Sequence, residues 1–264
     1  RSIQNKNAGI IEVNKAYKKN YPPRLYDLTE LQRDAHKLFG YSAKETLSIM
    51  QTLYERHKLL TYPRTDSRYI STDIVDTLKD RIKACGVGQY SKLAYQVLKK
   101  PIKANKSFVD NSKVSDHHAI IPTEQIFFGS LTEKERKIYN LVVKRFFAVF
   151  YPPFEYEQTT IKAKIGNELF TAKGKIVLNQ GWKEVYDNQF DDQEEEDDDI
   201  GEQKLPSLNK GDILKVTSVS QTTGETKPPR PFNEGTLLSA MENPAKYMAG
   251  ESKNLIKTIG EAGG

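Results

Sequence analysis

Two proline pairs, Tyr21-Pro22-Pro23 and Tyr151-Pro152-Pro153, mark where this chain changes the kind of structure its apolar residues can build. Proline fixes its own φ and drives the residue before it toward extended backbone, so each pair reads as a stiff connector rather than helix interior. Between the pairs the apolar residues recur at helical spacing; beyond the second they alternate. A helical body flanked by β segments is therefore expected, an α+β chain of several domains.

The helical signals between residues 27 and 150 are specific. Thr29-Glu30-Leu31-Gln32, Ser42-Ala43-Lys44-Glu45 and Thr132-Glu133-Lys134-Glu135 all have capping-box spacing, in which a hydroxyl and a side chain three residues on exchange hydrogen bonds with free amides. Leu47, Met50, Leu53 and Tyr54 form one apolar stripe, and that helix should end near His57. Further helices are expected over residues 72–84, 91–99 and 132–150, the last with Ile138, Leu141, Val142, Arg145 and Phe146 on one side. Strands are expected at 155–165 and 169–178 around a Gly166-Asn167 turn, at 181–186 and 212–220, and in the short run 9–13. A third connector, Lys227-Pro228-Pro229-Arg230-Pro231-Phe232, leads into a helix start at residues 233–242. Both ends read as cut, so the chain is expected to be part of a longer protein.

Composition narrows the class. Of 264 residues, 37% are hydrophobic and 28% charged, as in a globular protein with a wet surface. No apolar run approaches a membrane span and the first residues lack a signal peptide's apolar centre, so the expected location is the cytoplasm. A single cysteine, Cys85, excludes an internal disulfide and a cysteine zinc cluster, and reads as a half-buried structural residue. The net charge of +5 conceals an uneven distribution: nine acidic residues fall between Asp191 and Glu202, leaving +14 on the remainder. A basic body with one segregated acidic loop points to a polyanionic partner.

The chemistry concentrates in Leu60-Thr61-Tyr62-Pro63-Arg64-Thr65-Asp66-Ser67-Arg68-Tyr69-Ile70-Ser71. Pro63 biases Tyr62 toward extended backbone, presenting the phenol from a turn. A phenolate can attack phosphorus, and the Arg64 guanidinium, charged at any physiological pH, can neutralise the non-bridging oxygens. With 14 tyrosines in the chain, one tyrosine alone would more readily be a packing residue, so the surrounding pattern has to decide.

That pattern closely resembles the active-site motif of type IA DNA topoisomerases, and within them the bacterial topoisomerase III branch. Two further stretches follow in matching order, Val114-Ser115-Asp116-His117-His118-Ala119-Ile120-Ile121-Pro122-Thr123 and Pro228-Pro229-Arg230-Pro231-Phe232-Asn233-Glu234-Gly235-Thr236-Leu237-Leu238. The resemblance implies that Tyr62 is the nucleophile forming a transient 5′-phosphotyrosine, that Arg64 steadies the scissile phosphate, and that His117 contacts the DNA backbone near the break. His118 occupies a position that differs among family branches. By itself, the His117-His118 pair beside Asp116 also admits a loop-structural role or, with further ligands, a metal site. The resemblance implies a helical domain over residues 27–149 carrying the tyrosine, inserted in a β-rich arch built from 1–26 and 150–226, with the start of a further helical domain at 227–264. It implies strand passage without ATP, because the phosphotyrosine conserves the bond energy.

The family's complete site also needs clustered acidic residues holding Mg²⁺ and a lysine, in an N-terminal domain that nothing in this chain resembles. Mg²⁺ is therefore expected outside this chain, no metal site is expected within it, and relaxation of supercoiled DNA by this chain alone is not expected. DNA contacts are expected from Lys58, Asp66, Ser67, Arg68, Lys113, His118, Arg230 and Glu234, with Tyr69 or Phe232 available to stack on a base. The expected partner is DNA, chiefly single-stranded, bound by a nucleoid-associated monomer away from any membrane. Two other readings stay open at this point: a single-strand-binding module without catalysis, and a tyrosine recombinase or relaxase. The last would need more arginines and histidines around the tyrosine, or a chelating histidine cluster, and neither pattern is present.

Overall fold

The computed structural model describes residue 3 and residues 6–186, 203–226, 228–242 and 244. The acidic run at 191–199 lies outside the described residues. The chain divides into two compact units, one formed by residues 1–22 with 151–228 and the other by 23–150 with 229–264.

The first unit is an antiparallel sheet. Strand β1 (Asn7–Asn20) pairs along its length with β2 (Phe154–Ile165), which turns at Gly166, φ +63°, into β3 (Glu168–Asn179). A short β4 (Ile213–Lys215) joins the other edge of β1, giving the order β3-β2-β1-β4. In β2 Phe154 and Tyr156 are buried on one face and Ile161 and Ile165 on the other. Two expected strands are corrected. Residues 181–186 form a 3-10 helix: Gly181 has φ +51°, a Cβ there would lie 2.3 Å from the Pro153 carbonyl oxygen, and the turn so made buries Trp182, Val185 and Tyr186 together. The strand expected at 212–220 pairs over Ile213–Lys215 alone, because Lys215 already stands opposite Asn7, where β1 begins.

The second unit is helical. Helix α1 (Leu28–Phe39) is capped by Asp27, whose Oδ1 accepts from the Glu30 amide at 2.7 Å, and ends at Gly40 with φ +70°. The capping box expected at Thr29 is thus displaced: an aspartate two residues earlier takes the cap. Ser42 caps α2 (Ala43–Gln51) by accepting from the Glu45 amide at 3.0 Å, while the Glu45 carboxylate pairs with Lys134 instead of closing the box. Helices α3 (Leu78–Cys85, after a 3-10 turn at Thr72–Thr77), α4 (Ser91–Leu98), α5 (Glu133–Ala148) and α6 (Glu234–Glu242) follow. The α5 box is complete, Thr132 and Glu135 each accepting from the other's amide. The stripe Ile138, Leu141, Val142 and Phe146 is buried, and its first three residues share a core with Leu31, Ala35, Met50, Leu53, Leu59 and Leu60. Arg145 is buried with that stripe and binds Asp34 at 2.6 Å and the Tyr26 hydroxyl at 3.0 Å, so its charge is compensated inside the unit. Cys85 is fully rather than half buried, and burial pushes its thiol up to about 12, far from a reactive thiolate.

Candidate active site

Two segments distant in sequence are fastened together beneath Tyr62. Helix α2 widens into a π turn at Thr52–Arg56, and Lys58, at φ +58°, turns the chain out of it; Leu59 donates to the Leu53 carbonyl at 2.9 Å. The next residues pair with the segment after the histidines. Thr123 donates its amide to Leu59 O and Thr61 its amide to Ile121 O, each at 3.0 Å. The Thr61 hydroxyl donates to Ala119 O at 3.1 Å and accepts from the Ile121 amide at 3.0 Å, so it closes the ladder where a strand would otherwise be needed. Tyr62 follows at once, half-buried. Its ring meets the edge of Tyr54 at 5.6 Å and lies 4.2 Å from the His117 ring, tilted by 37°.

Beyond Tyr62 the backbone alternates like a strand: Pro63, Thr65 and Ser67 point inward and are buried, Arg64 and Asp66 outward and are exposed. The inward hydroxyls bind the histidine segment. Thr65 Oγ1 donates to the His117 carbonyl at 3.0 Å and accepts from the Ser67 amide at 3.1 Å; Ser67 Oγ donates to the Lys113 carbonyl at 2.7 Å. The distance between Tyr62 and His117 is thus set by the hydroxyls of Thr61 and Thr65, which sequence reading passed over, and of Ser67, which it assigned to DNA. The period-two run from Pro63 to Ser67 was the signal that could have found them.

The remaining expected contact residues separate into two groups. Lys58, Arg64, Asp66, Lys113 and Arg230 are exposed. Ser67, Arg68 and Glu234 hold structure. Arg68 is bound by Asp27 at 2.5 Å and Glu30 at 3.0 Å, with Glu242 of α6 at 3.8 Å. Burial pushes the Glu30 carboxyl up, against the pull of Arg68 and Arg33. Glu234 Oε1 accepts the Ala43 amide at 2.9 Å, satisfying a free donor at the start of α2. The ring of Tyr69 lies under the Arg24 guanidinium at 5.3 Å, and Phe232 is 56% exposed.

A cavity of about 360 Å³ opens beside the phenol, lined by Thr61, Tyr62, Ser71, Asp73, Asn111, Val114 and the run from Ser115 to His118. Arg64 is not part of its wall. Among the described residues no three histidine, cysteine or carboxylate side chains are placed to hold one metal ion, so these residues do not fit a magnesium site.

The model of the DNA topoisomerase family matches residues 1–260. The chain belongs to the DNA topoisomerase family. It is 63% identical over its whole length to DNA topoisomerase 3 of Bacillus thuringiensis (strain Al Hakam) and 58% identical to DNA topoisomerase 3 of Bacillus subtilis (strain 168). It spans 36% of the length of each. Full-length topoisomerase I from Thermotoga maritima shares the fold, with a TM-score of 0.66 and 24% identity over 91% of this chain and 38% of that one. The α+β expectation and the likeness to bacterial type IA topoisomerase III therefore hold.

Proposed function

We propose that this chain is the tyrosine-bearing gate of a type IA topoisomerase that cuts and reseals one DNA strand. The observation that carries the proposal is the fastening of Tyr62 to His117, ring against ring, on a ladder of buried hydroxyls beside an open cavity. In the reaction the Tyr62 phenolic oxygen attacks phosphorus, the bond from phosphorus to the 3′ oxygen breaks, the phenol gives up its proton and the 3′ oxygen gains one. Attack by that 3′ hydroxyl on the phosphotyrosine reverses each change, so no ATP is consumed. Arg64, outward and beside Tyr62, faces the phosphate oxygens, where its planar fork opposes the charge that builds during attack. His117 contacts the backbone next to the break, and Lys58, Lys113 and Arg230 contribute phosphate contacts.

Magnesium, and an acid for the leaving oxygen, come in this reading from sequence outside the chain. The substrate is single-stranded DNA, the working form is a monomer, and the setting is the bacterial nucleoid. That no helix among the described residues is long and apolar enough to cross a membrane is compatible with it. The units 1–22 with 151–228 and 23–150 with 229–264 suggest the division of labour: the helical unit carries Tyr62 and the sheet unit serves as the arch.

The test is to incubate the chain, alone and with a separately made N-terminal domain of a Bacillus relative, with labelled single-stranded DNA and Mg²⁺. Covalent adducts are expected in the mixture and not with Tyr62→Phe. Binding without adducts in the mixture would leave the chain as a single-strand-binding module.

A further inference from the structure

The cavity beside Tyr62 has a polarity unsuited to phosphate. Its wall contains two carboxylates, Asp73 and Asp116, and no lysine or arginine. Apart from the Tyr62 and His117 rings, which face the backbone of the strand in the reading above, most of its side-chain donors are engaged, the Thr61 hydroxyl on Ala119 O and the Ser71 hydroxyl on Asp73. The Asn111 amide accepts from the Thr72 amide at 2.9 Å and donates to the Thr72 hydroxyl at 3.1 Å, and the Ser115 hydroxyl donates to Asp66 at 3.4 Å. His118 is decided by its neighbour: its Nδ1 lies 2.7 Å from the Ala119 carbonyl oxygen, which can only accept, so Nδ1 carries the hydrogen. Burial holds the His118 ring below its ordinary pKa, with Arg81 and His117 acting the same way and the Ala119 bond and Asp73 opposing them. In the neutral ring Nε2 is a bare acceptor. The volume falls within the range of small-ligand pockets, about 300–1,000 Å³.

We propose that this cavity receives one unstacked base of the strand held at Tyr62, and selects bases that carry an amino group where the others carry a carbonyl oxygen, at C4 in cytosine or C6 in adenine, through His118, Asp73 and Asp116. This rests on the reading of Tyr62 as a nucleophile acting on a single strand. The amino group of cytosine or adenine donates hydrogen bonds on the edge where thymine and guanine carry a carbonyl oxygen, which an acceptor-lined wall repels. Asp73 and Asp116 strengthen such bonds by their charge while keeping the phosphates on the outward side, with Arg64.

The test compares bases that differ in that one group. Binding of fluorescein-labelled single strands by the whole chain is measured by anisotropy for oligodeoxyadenosine against its purine analogue lacking the amino group. The same is done for oligodeoxycytidine against the pyrimidinone analogue. For at least one pair the amino-bearing strand should bind about fivefold or more tightly, the size of one good base contact, and the pair that responds names the base. His118→Phe and the double variant Asp73→Ala/Asp116→Ala should bring the ratio toward one. Equal binding within both pairs overturns the base pocket and leaves Tyr62's role standing. A ratio that survives both variants overturns its assignment to this cavity. Failure of every strand to bind overturns the pocket and the topoisomerase reading together.

Discussion

Arg64 and Arg68 have the same side chain four residues apart, and their surroundings assign them opposite work. Arg64 projects outward from the alternating run, whereas Arg68 is enclosed by Asp27, Glu30 and Glu242. Arg64→Ala should weaken binding of single-stranded DNA and lower the salt dependence of affinity by about one counterion, read as the slope of log K against log salt. Arg68→Ala should leave that slope unchanged and cost stability instead, about 1–2 kcal/mol in urea unfolding, because Asp27 and Glu30 lose a partner that is itself about a third exposed. Both arginines had been expected to touch DNA. Spacing to Tyr62 was legible in sequence, but the carboxylates around Arg68 come from α1 and α6, and only folding brings them there. Thr65 was missed for the same reason: its partner is the carbonyl of His117, not a neighbour in sequence. Thr65→Val should cost about 1 kcal/mol by stranding the Ser67 amide and should shift the His117 ring protons in NMR as the Tyr62 ring moves away. Thr65→Ser should preserve both.

Among the elements, α5 was the easiest to foresee, since its cap and its stripe are both local. Glu135 nevertheless does more than the capping box asks of it. It also lies 3.2 Å from Nε2 of His57, at the end of the turn that precedes Tyr62. Burial alone would raise the Glu135 carboxyl, but its bonds to Thr132 and His57 outweigh that and hold it below the ordinary glutamate range. A carboxyl depressed in the folded state adds stability that is complete above its unfolded pKa, about 4.5, and is lost as pH falls through the folded value. Unfolding measured from pH 6 downward to about 3 should therefore show a steeper loss for the native chain than for Glu135→Gln. The misjudged elements share a different cause. In residues 181–186 Trp182, Val185 and Tyr186 stand at three- and four-residue spacing, a helical pattern that the strand expectation overlooked in so short a run, and the positive φ at Gly181 starts the turn. Helix α6 is attached differently from α5. Gly235 is its buried residue, and its anchors are Glu234 on the Ala43 amide and Glu242 near Arg33 and Arg68. Raising salt should hasten amide exchange in α6 well before α5, since exposed ion pairs are screened and a packed stripe is not.

Across the whole molecule, the sheet is assembled from pieces of chain that lie before and after the helical unit in sequence. Ala8 pairs with Ile165 and Asn20 with Phe154, although residues 23–150 separate the two strands in sequence. During synthesis β1 therefore leaves the ribosome before β2 and must wait for it, while the helical unit can close its own short-range contacts as it emerges. Throughout that delay β1 is a strand with both edges open, the condition in which strands find wrong partners. Its outer half reads Asn14-Lys15-Ala16-Tyr17-Lys18-Lys19-Asn20, and three lysines in seven residues repel a second copy of the same strand. Those lysines guard a nascent chain: Lys15 and Lys19 acquire Glu157 and Glu155 when β2 arrives, so the charge that discourages aggregation early becomes the charge that fixes register late.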